Sequence, residues 1–365
     1  MPIYGHEGHE GHEGHEGHEG HEGHEGHEGH EGGGGSGALS SALGRARDGT
    51  LGYWDGKPSR DVNRVEGREA WLAVKRLDTV PRRAVMDQAI QGLFGVSFDR
   101  SDAPNVTGAL TLQGTPLVTL ERPKMSVLRD HQLPYLRAAA DLRGDRLTEI
   151  RVETSNIQSF FAGVSYMSSG ATKWSLALTQ AIFRLCTHVE MPIKLGFDVP
   201  RPITFAYEVQ PIIQTPGHGA WPSGHATESF AGATLLSFLF QDTDWAEPAP
   251  FAPRELLAAQ TPLYRHAERI AINRTVAGVH FPTDSMAGAV LGVTLAEALV
   301  NLLEGRDKTT ARSYHGADYA GDFNLSLLDA EIDPAGAITE TEIDIDPEAV
   351  PAWLRAMWAE AKTEA

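Results

Sequence analysis

Three separated groups of residues carry the side chains needed to hold a compact oxyanion and move a proton on it. They are Lys194 with Arg201–Pro202, then Pro222-Ser223-Gly224-His225, then Arg274, Gly278, His280 and Asp284. Lysine and arginine supply durable positive charge and only donate hydrogen bonds, a serine hydroxyl adds a donor, and imidazole exchanges a proton near neutrality. The whole chain carries a net charge of -18, so cations gathered in these blocks are not a sample of its average surface.

The local pattern says how such residues could meet. Arg274 and His280 are six positions apart, which on one straight helix separates them by about 240°. Both can face one pocket only if the helix ends between them, and Gly278 followed by Phe281–Pro282 supplies that ending. Asp284 then starts the next helix, where it can bond the His280 imidazole, cap the helix, or do both. Trp221 to His225 immediately precede an apolar helix, so Ser223, the Gly224 N–H and His225 sit at a helix N-terminus, a natural anion site. Gly196 and Pro200 separate Lys194 from Arg201 and predict an extended loop there. Taken singly, each of these cations reads as a solvated surface charge and each histidine as a satisfied helix-end or loop residue.

The elements that must position these blocks are mostly helical. Apolar periodicity predicts helices over 65–77, 82–93, 127–142, 173–189, 226–240, 253–277 and 284–303. The helix at 173–189 presents Leu176, Leu178, Ile182, Phe183 and Leu185 on one broad face. Alternating segments around Gln113–Gly114 predict a small β-hairpin within 103–123. The expected fold is therefore all-α, a helical bundle with a small β-hairpin in the N-terminal third. Residues 329–349 are acidic and poor in apolar side chains, and a short final helix carrying Trp353 and Trp358 could dock on the bundle. The expected division is 1–37, a domain over 38–328, and a C-terminal segment over 329–365.

Residues 6–32 are nine His-Glu-Gly units, followed by Gly-Gly-Gly-Ser-Gly at 33–37. With no apolar face this stretch cannot fold alone. It reads as an affinity tag and linker, with a natural metal-binding tract as the lesser alternative. Apolar runs are interrupted by Gly, Ser, Thr and Glu, so no membrane span is expected and the chain reads as soluble. It carries no signal peptide as written, although the repeat could have replaced an export signal. The acidity argues against nucleic acid as a partner. The lone cysteine, Cys186, lies in an apolar pattern and is expected to be buried and inert; Asn105-Val106-Thr107 fits a glycosylation sequon. A homodimer is compatible with this size and class.

Lys-x6-Arg-Pro, Pro-Ser-Gly-His and Arg-x3-Gly-x-His-x3-Asp, in that order, resemble the superfamily shared by vanadium-dependent haloperoxidases and type 2 phosphatidic acid phosphatases, including bacterial acid phosphatases. The resemblance spans about 174–304. Asn273 departs from it, since the family usually has Ser before the arginine. The resemblance implies that His280 is either the vanadium ligand or the nucleophile forming a phosphohistidine, and that His225 is the acid/base group opposite. It implies that Lys194, Arg201, Arg274, Ser223 and the Gly224 N–H bind the equatorial oxygens. Vanadate and a phosphoryl transition state are both trigonal-bipyramidal oxyanions, so one cationic cage suits either.

His218, seven residues before His225, resembles the bromoperoxidase branch, which carries a second histidine at that spacing. The leading expectation is thus a vanadium-dependent haloperoxidase. It would hold vanadate (orthovanadate) and use hydrogen peroxide to oxidise halide, preferentially bromide, for transfer to a small organic acceptor. The alternative is a phosphatase hydrolysing phosphate monoesters through His280. A third, from another class, is a catalytically silent anion- or metal-binding protein, prompted by the histidine-rich N-terminus.

Overall fold

The structure is a computed structural model and describes residues 37–50, 54–58, 68–101, 106–241 and 250–364. The His-Glu-Gly repeat and Asn105 of the sequon lie outside the described residues. The chain forms two compact units, Met1–Met86 and Asp87–Ala365. In the first, helices cover Gly37–Thr50 and Ala70–Val74, the latter burying Trp71 and Val74.

The second unit is built on six helices used below: α1 (Arg143–Glu153), α2 (Lys173–Phe197), α3 (Gly224–Phe240), α4 (Pro262–Ala277), α5 (Pro282–Leu303) and α6 (Ala352–Ala361). α3 and α5 form the centre, with α4 and α2 packed on α3. α5 is long and apolar enough to cross a bilayer, contrary to the expectation drawn from its interrupting Gly and Thr residues. Every one of its residues is buried inside the fold, as befits a core helix.

The α3–α5 crossing is close because α5 presents glycine to α3. A Cβ built on Gly292 would lie 2.2 Å from the Thr227 carbonyl oxygen and 2.9 Å from the Ala231 nitrogen. These are backbone atoms and cannot rotate away, so Gly292→Ala should cost about 1–3 kcal/mol by overpacking. Gly163→Ala, at an exposed helical site with open space around it, should instead stabilise by up to about 1 kcal/mol through helix propensity. Urea denaturation of the two variants checks the opposite signs.

The all-α expectation requires correction. The hairpin is present, with Gln113 and Gly114 both at positive φ as a two-residue hairpin turn requires. It belongs to a five-stranded sheet ordered β1 (Phe94–Asp99), β2 (Thr107–Leu112), β3 (Thr115–Glu121), β4 (Lys308–Tyr314) and β5 (Ile338–Asp344). β3 and β4 pair in parallel, Val118 opposite Arg312; the other pairs are antiparallel. The acidity of β5 is complementary to β4. Lys308 bonds Glu342 and Arg312 pairs with Glu340 at 2.8 Å. The segment after 328 is thus woven into the second unit. Trp358 is buried with its indole N–H on Glu304, Trp353 is half-buried, and the Glu364 carboxylate accepts from Trp174 N and Ser175 N at the start of α2.

Two helix boundaries also differ from expectation. The segment 253–277 is two helices, Arg254–Ala258 and α4, divided at Gln260 with Pro262 opening α4. Conversely, α2 runs through Pro192 and Gly196 to Phe197, so Lys194 lies on a helix and not on a loop. The reason is tertiary. Ile182, Cys186, Val189, Ile193 and Phe197 continue one buried stripe, and Gly196 accommodates the Phe98 ring, which would stand 2.0 Å from a Cβ there. Cys186 is fully buried, as expected.

Candidate active site

The three blocks converge. Lys194 comes from the last turn of α2, Arg201 from the extended residue before the short helix Pro202–Phe205, Ser223 from the N-cap of α3, and Arg274 from the last turn of α4. His280 lies in the connection between α4 and α5, and Asp284 in the first turn of α5. Gly278, at φ 84°, ends α4 and turns the chain back, with Val279 N donating to the Arg274 carbonyl at 3.1 Å. The α3 terminus is tied to α5 by Ser223 N donating to the Asp284 carbonyl at 2.9 Å.

The cations are desolvated. Lys194 and Arg274 are 1% exposed and Arg201 6%. Burial pulls Lys194 down to about 8, against the opposing pull of Glu190, and Arg201 down to about 10. A set of buried cations is costly unless an anion compensates it. Some donors remain for that anion: Arg274 Nε is buried without an acceptor among the described residues, and the Gly224 and His225 N–H groups open α3, where a helix supplies no acceptor, while Ala226 N is capped by Ser223 Oγ at 3.4 Å. Lys194 Nζ meanwhile donates to the Pro222 carbonyl.

Hydrogen-bond partners assign both imidazole tautomers. Arg201 NH1 can only donate, and it lies 2.9 Å from His280 Nε2, so that nitrogen carries the lone pair. His280 Nδ1, 3.0 Å from Asp284 Oδ2, carries the proton. Asp284 Oδ2 also accepts from Phe281 N at 2.9 Å, so the imidazole-bonding and helix-capping contacts coexist. His225 is reversed: its Nε2 donates to the Glu153 carbonyl at 3.1 Å, leaving the lone pair on Nδ1. Burial holds both rings well below the usual histidine range, helped by Arg201 and Lys194 at His280 and by Arg274 at His225. Both are therefore neutral at physiological pH. His225 is among the groups that disfavour protonation of His280.

His218 stands at the exposed edge of this group. Arg201 Nε donates to its carbonyl at 3.1 Å and Arg201 NH2 reaches its Nδ1 at 3.2 Å. Gly224 has its own structural reason: a Cβ there would meet the Glu190 carboxylate at 2.7 Å.

Two acidic residues of the site were not anticipated. Glu190 is buried beside Lys194, and burial pushes its carboxyl up. The i,i+4 spacing to Lys194 was a usable signal, lost by placing Lys194 on a loop. Glu153 is 3% exposed, accepts from Arg274 NH2, and is pushed up to about 7 by burial. No sequence signal links it to an arginine 121 residues away. Asn273, the noted departure, donates to Glu153 at 2.6 Å and Glu149 at 3.0 Å and accepts from Arg146 at 2.9 Å.

A helical core bringing a cationic oxyanion cage together with two oriented neutral imidazoles is the chemical class of this site. Residues 172–308 match the family described as the PAP2 superfamily. Among solved structures, the chain is similar to the crystal structure of the first transmembrane PAP2 type phosphatidylglycerolphosphate phosphatase from Bacillus subtilis. Identity there is 20%, with 47% of this chain and 84% of that one covered and a TM-score of 0.34. No curated protein matches the chain.

Proposed function

We propose that the protein hydrolyses phosphate monoesters through a phosphohistidine on His280, in preference to the haloperoxidase expected first. The match of residues 172–308 to the PAP2 superfamily supports hydrolysis at least as well as halide oxidation. The observation that carries the reading is the His280 ring: Nδ1–H donates to Asp284, and the Nε2 lone pair faces Arg201.

Lys194, Arg201, Arg274, Ser223 and the Gly224 N–H bind the phosphoryl oxygens, and Arg201 NH1 exchanges the His280 nitrogen for one of them. His280 Nε2 attacks phosphorus as the P–O ester bond breaks, and the leaving oxygen takes a proton from His225 Nδ1. Water then attacks the phosphohistidine, giving its proton to His225 and releasing inorganic phosphate and the free imidazole. His225 is neutral before binding, so the proton it donates enters with the monoanionic ester. Activity should accordingly fall as pH rises through the second phosphate pKa, about 6. A pH profile of kcat/KM on p-nitrophenyl phosphate checks this; a rate that rises from pH 5 to 8 would contradict it.

One observation favours a second reading. His218 touches the guanidinium of Arg201 from the exposed side, where a peroxide or halide would approach. The same residues fit orthovanadate, since the unpartnered Arg274 Nε and the His280 lone pair suit any compact oxyanion. Vanadate when bound supplies a Lewis-acidic centre without changing oxidation state. His280 Nε2 would hold it, neutral His225 would accept the peroxide proton, and the cations would bind its oxygens. A paired assay separates the readings: hydrolysis of p-nitrophenyl phosphate that orthovanadate inhibits supports the phosphatase, whereas monochlorodimedone bromination that requires orthovanadate supports the peroxidase.

A further inference from the structure

α1 lies outside the segment that matches the PAP2 superfamily, yet one of its faces reaches the site. Residues 143, 146, 149, 150 and 153 recur at the spacing of one helical stripe. Arg143 bonds the carbonyls of Val276 (3.0 Å), Val209 (2.8 Å) and Gln210 (3.0 Å). Arg146 and Glu149 hold Asn273, while Ile150 packs in a buried cluster with Val276, Ala277 and Val279. At the end of this anchored stripe, Glu153 touches two site residues at once. Its carboxylate takes Arg274 NH2, and its main-chain carbonyl takes the His225 Nε2 proton.

We propose that Glu153 is a positioning residue of this site, orienting the Arg274 guanidinium with its side chain and the His225 imidazole with its carbonyl. A carboxylate near an anion site opposes anion binding by charge alone, so its effect depends on what else it does. Here it occupies one edge of the guanidinium and leaves buried Nε without an acceptor among the described residues. Asn273, bonded to the other carboxylate oxygen, prevents the carboxylate from rotating off. The carbonyl contact fixes the His225 tautomer, so that Nδ1 is the nitrogen left for acid/base work. The proposal deepens the phosphate-ester reading and rests on it for its kinetic consequence.

The test compares full-length parent, Glu153→Ala, Glu153→Gln and Asn273→Ala. It measures the calorimetric Kd for inorganic phosphate, the NMR signal of Arg274 Nε–H, and kcat and KM for p-nitrophenyl phosphate. Glu153→Ala should raise the phosphate Kd and lower kcat by about 10–100-fold, the scale typical of losing an outer orienting partner. It should also broaden the Arg274 signal by releasing the guanidinium. Glu153→Gln, which keeps length and an acceptor, should return the Kd to within about threefold of the parent. Asn273→Ala should shift Kd in the same direction by less, and it leaves Glu153 in place should Glu153→Ala fail to fold. Tighter phosphate binding in both Glu153 variants, with Arg274 unchanged, would show that the carboxylate merely neutralises charge and would overturn the proposal. A parent that hydrolyses no ester counts against the phosphatase reading alone, because affinity and the Arg274 resonance judge Glu153 without turnover.

Discussion

His280→Ala should lower kcat/KM for p-nitrophenyl phosphate by roughly 10⁴-fold or more, the scale seen when a nucleophile acting as a unit with its partners is removed. The reason is positional. Nε2 is the lone-pair nitrogen facing Arg201, with the opposite nitrogen engaged by Asp284, and alanine leaves nothing within reach to form the phosphorus–nitrogen bond. Acid-labile phosphate trapped on the parent protein during turnover should be absent from the variant. His225→Ala should differ in kind, losing about 10²–10⁴-fold as an acid/base group does while still accepting phosphate on His280. The loss should be smaller for an alcohol as acidic as p-nitrophenol than for an alkyl alcohol, because an acidic leaving group needs less protonation. Trapped phosphate persisting in His280→Ala would refute the proposed nucleophile.

Arg312→Ala should destabilise the protein by about 3–5 kcal/mol, the usual consequence of stranding a buried charge. Arg312 comes from β4 and is 4% exposed; it donates to Glu297 in the middle of α5, a carboxylate with no exposure, at 2.6 Å. Burial already pushes the Glu297 carboxyl up, against the opposing pull of Arg312. Removing Arg312 leaves Glu297 to take up a proton or remain charged in the core. Replacing both residues, as Glu297→Leu with Arg312→Met, should recover most of the loss, because the carboxylate that needed compensation is gone. Urea denaturation of the single and double variants measures both. A loss below about 1 kcal/mol in Arg312→Ala would mean that Glu297 is not held by this pair.

Much of the site was legible because its chemistry is tied to local chain geometry. The end of α4 at Gly278 and the start of α5 at Pro282 follow from φ preferences. With them comes the contact between His280 and Asp284, four residues apart. The Ser223 cap before a run of apolar residues was legible for the same reason. Lys194 was misplaced because Pro192 and Gly196 are locally poor helix formers, while the Ile193 and Phe197 contacts that keep α2 helical are made with distant residues. The sheet escaped for a related reason. β4 and β5 are short and polar, and their stability lies in cross-strand charge pairs and in β3, nearly two hundred residues earlier in the chain. Neither strand resembles a buried one until its partners are known.

Types and order of the chemical groups, the turn from α4 into α5 at Gly278–Pro282 and the Ser223 cap are properties of residues a few positions apart, and the sequence alone was sufficient for them, whereas the end of α2 was not fixed locally. The protonated nitrogen on each imidazole, the desolvation of Lys194, Arg201 and Arg274, and the placing of Glu153 against both Arg274 and His225 arise from segments tens to more than a hundred residues apart. Hydrogen bonding and burial act on groups that are near in space, and only the tertiary structure determines which distant groups those are.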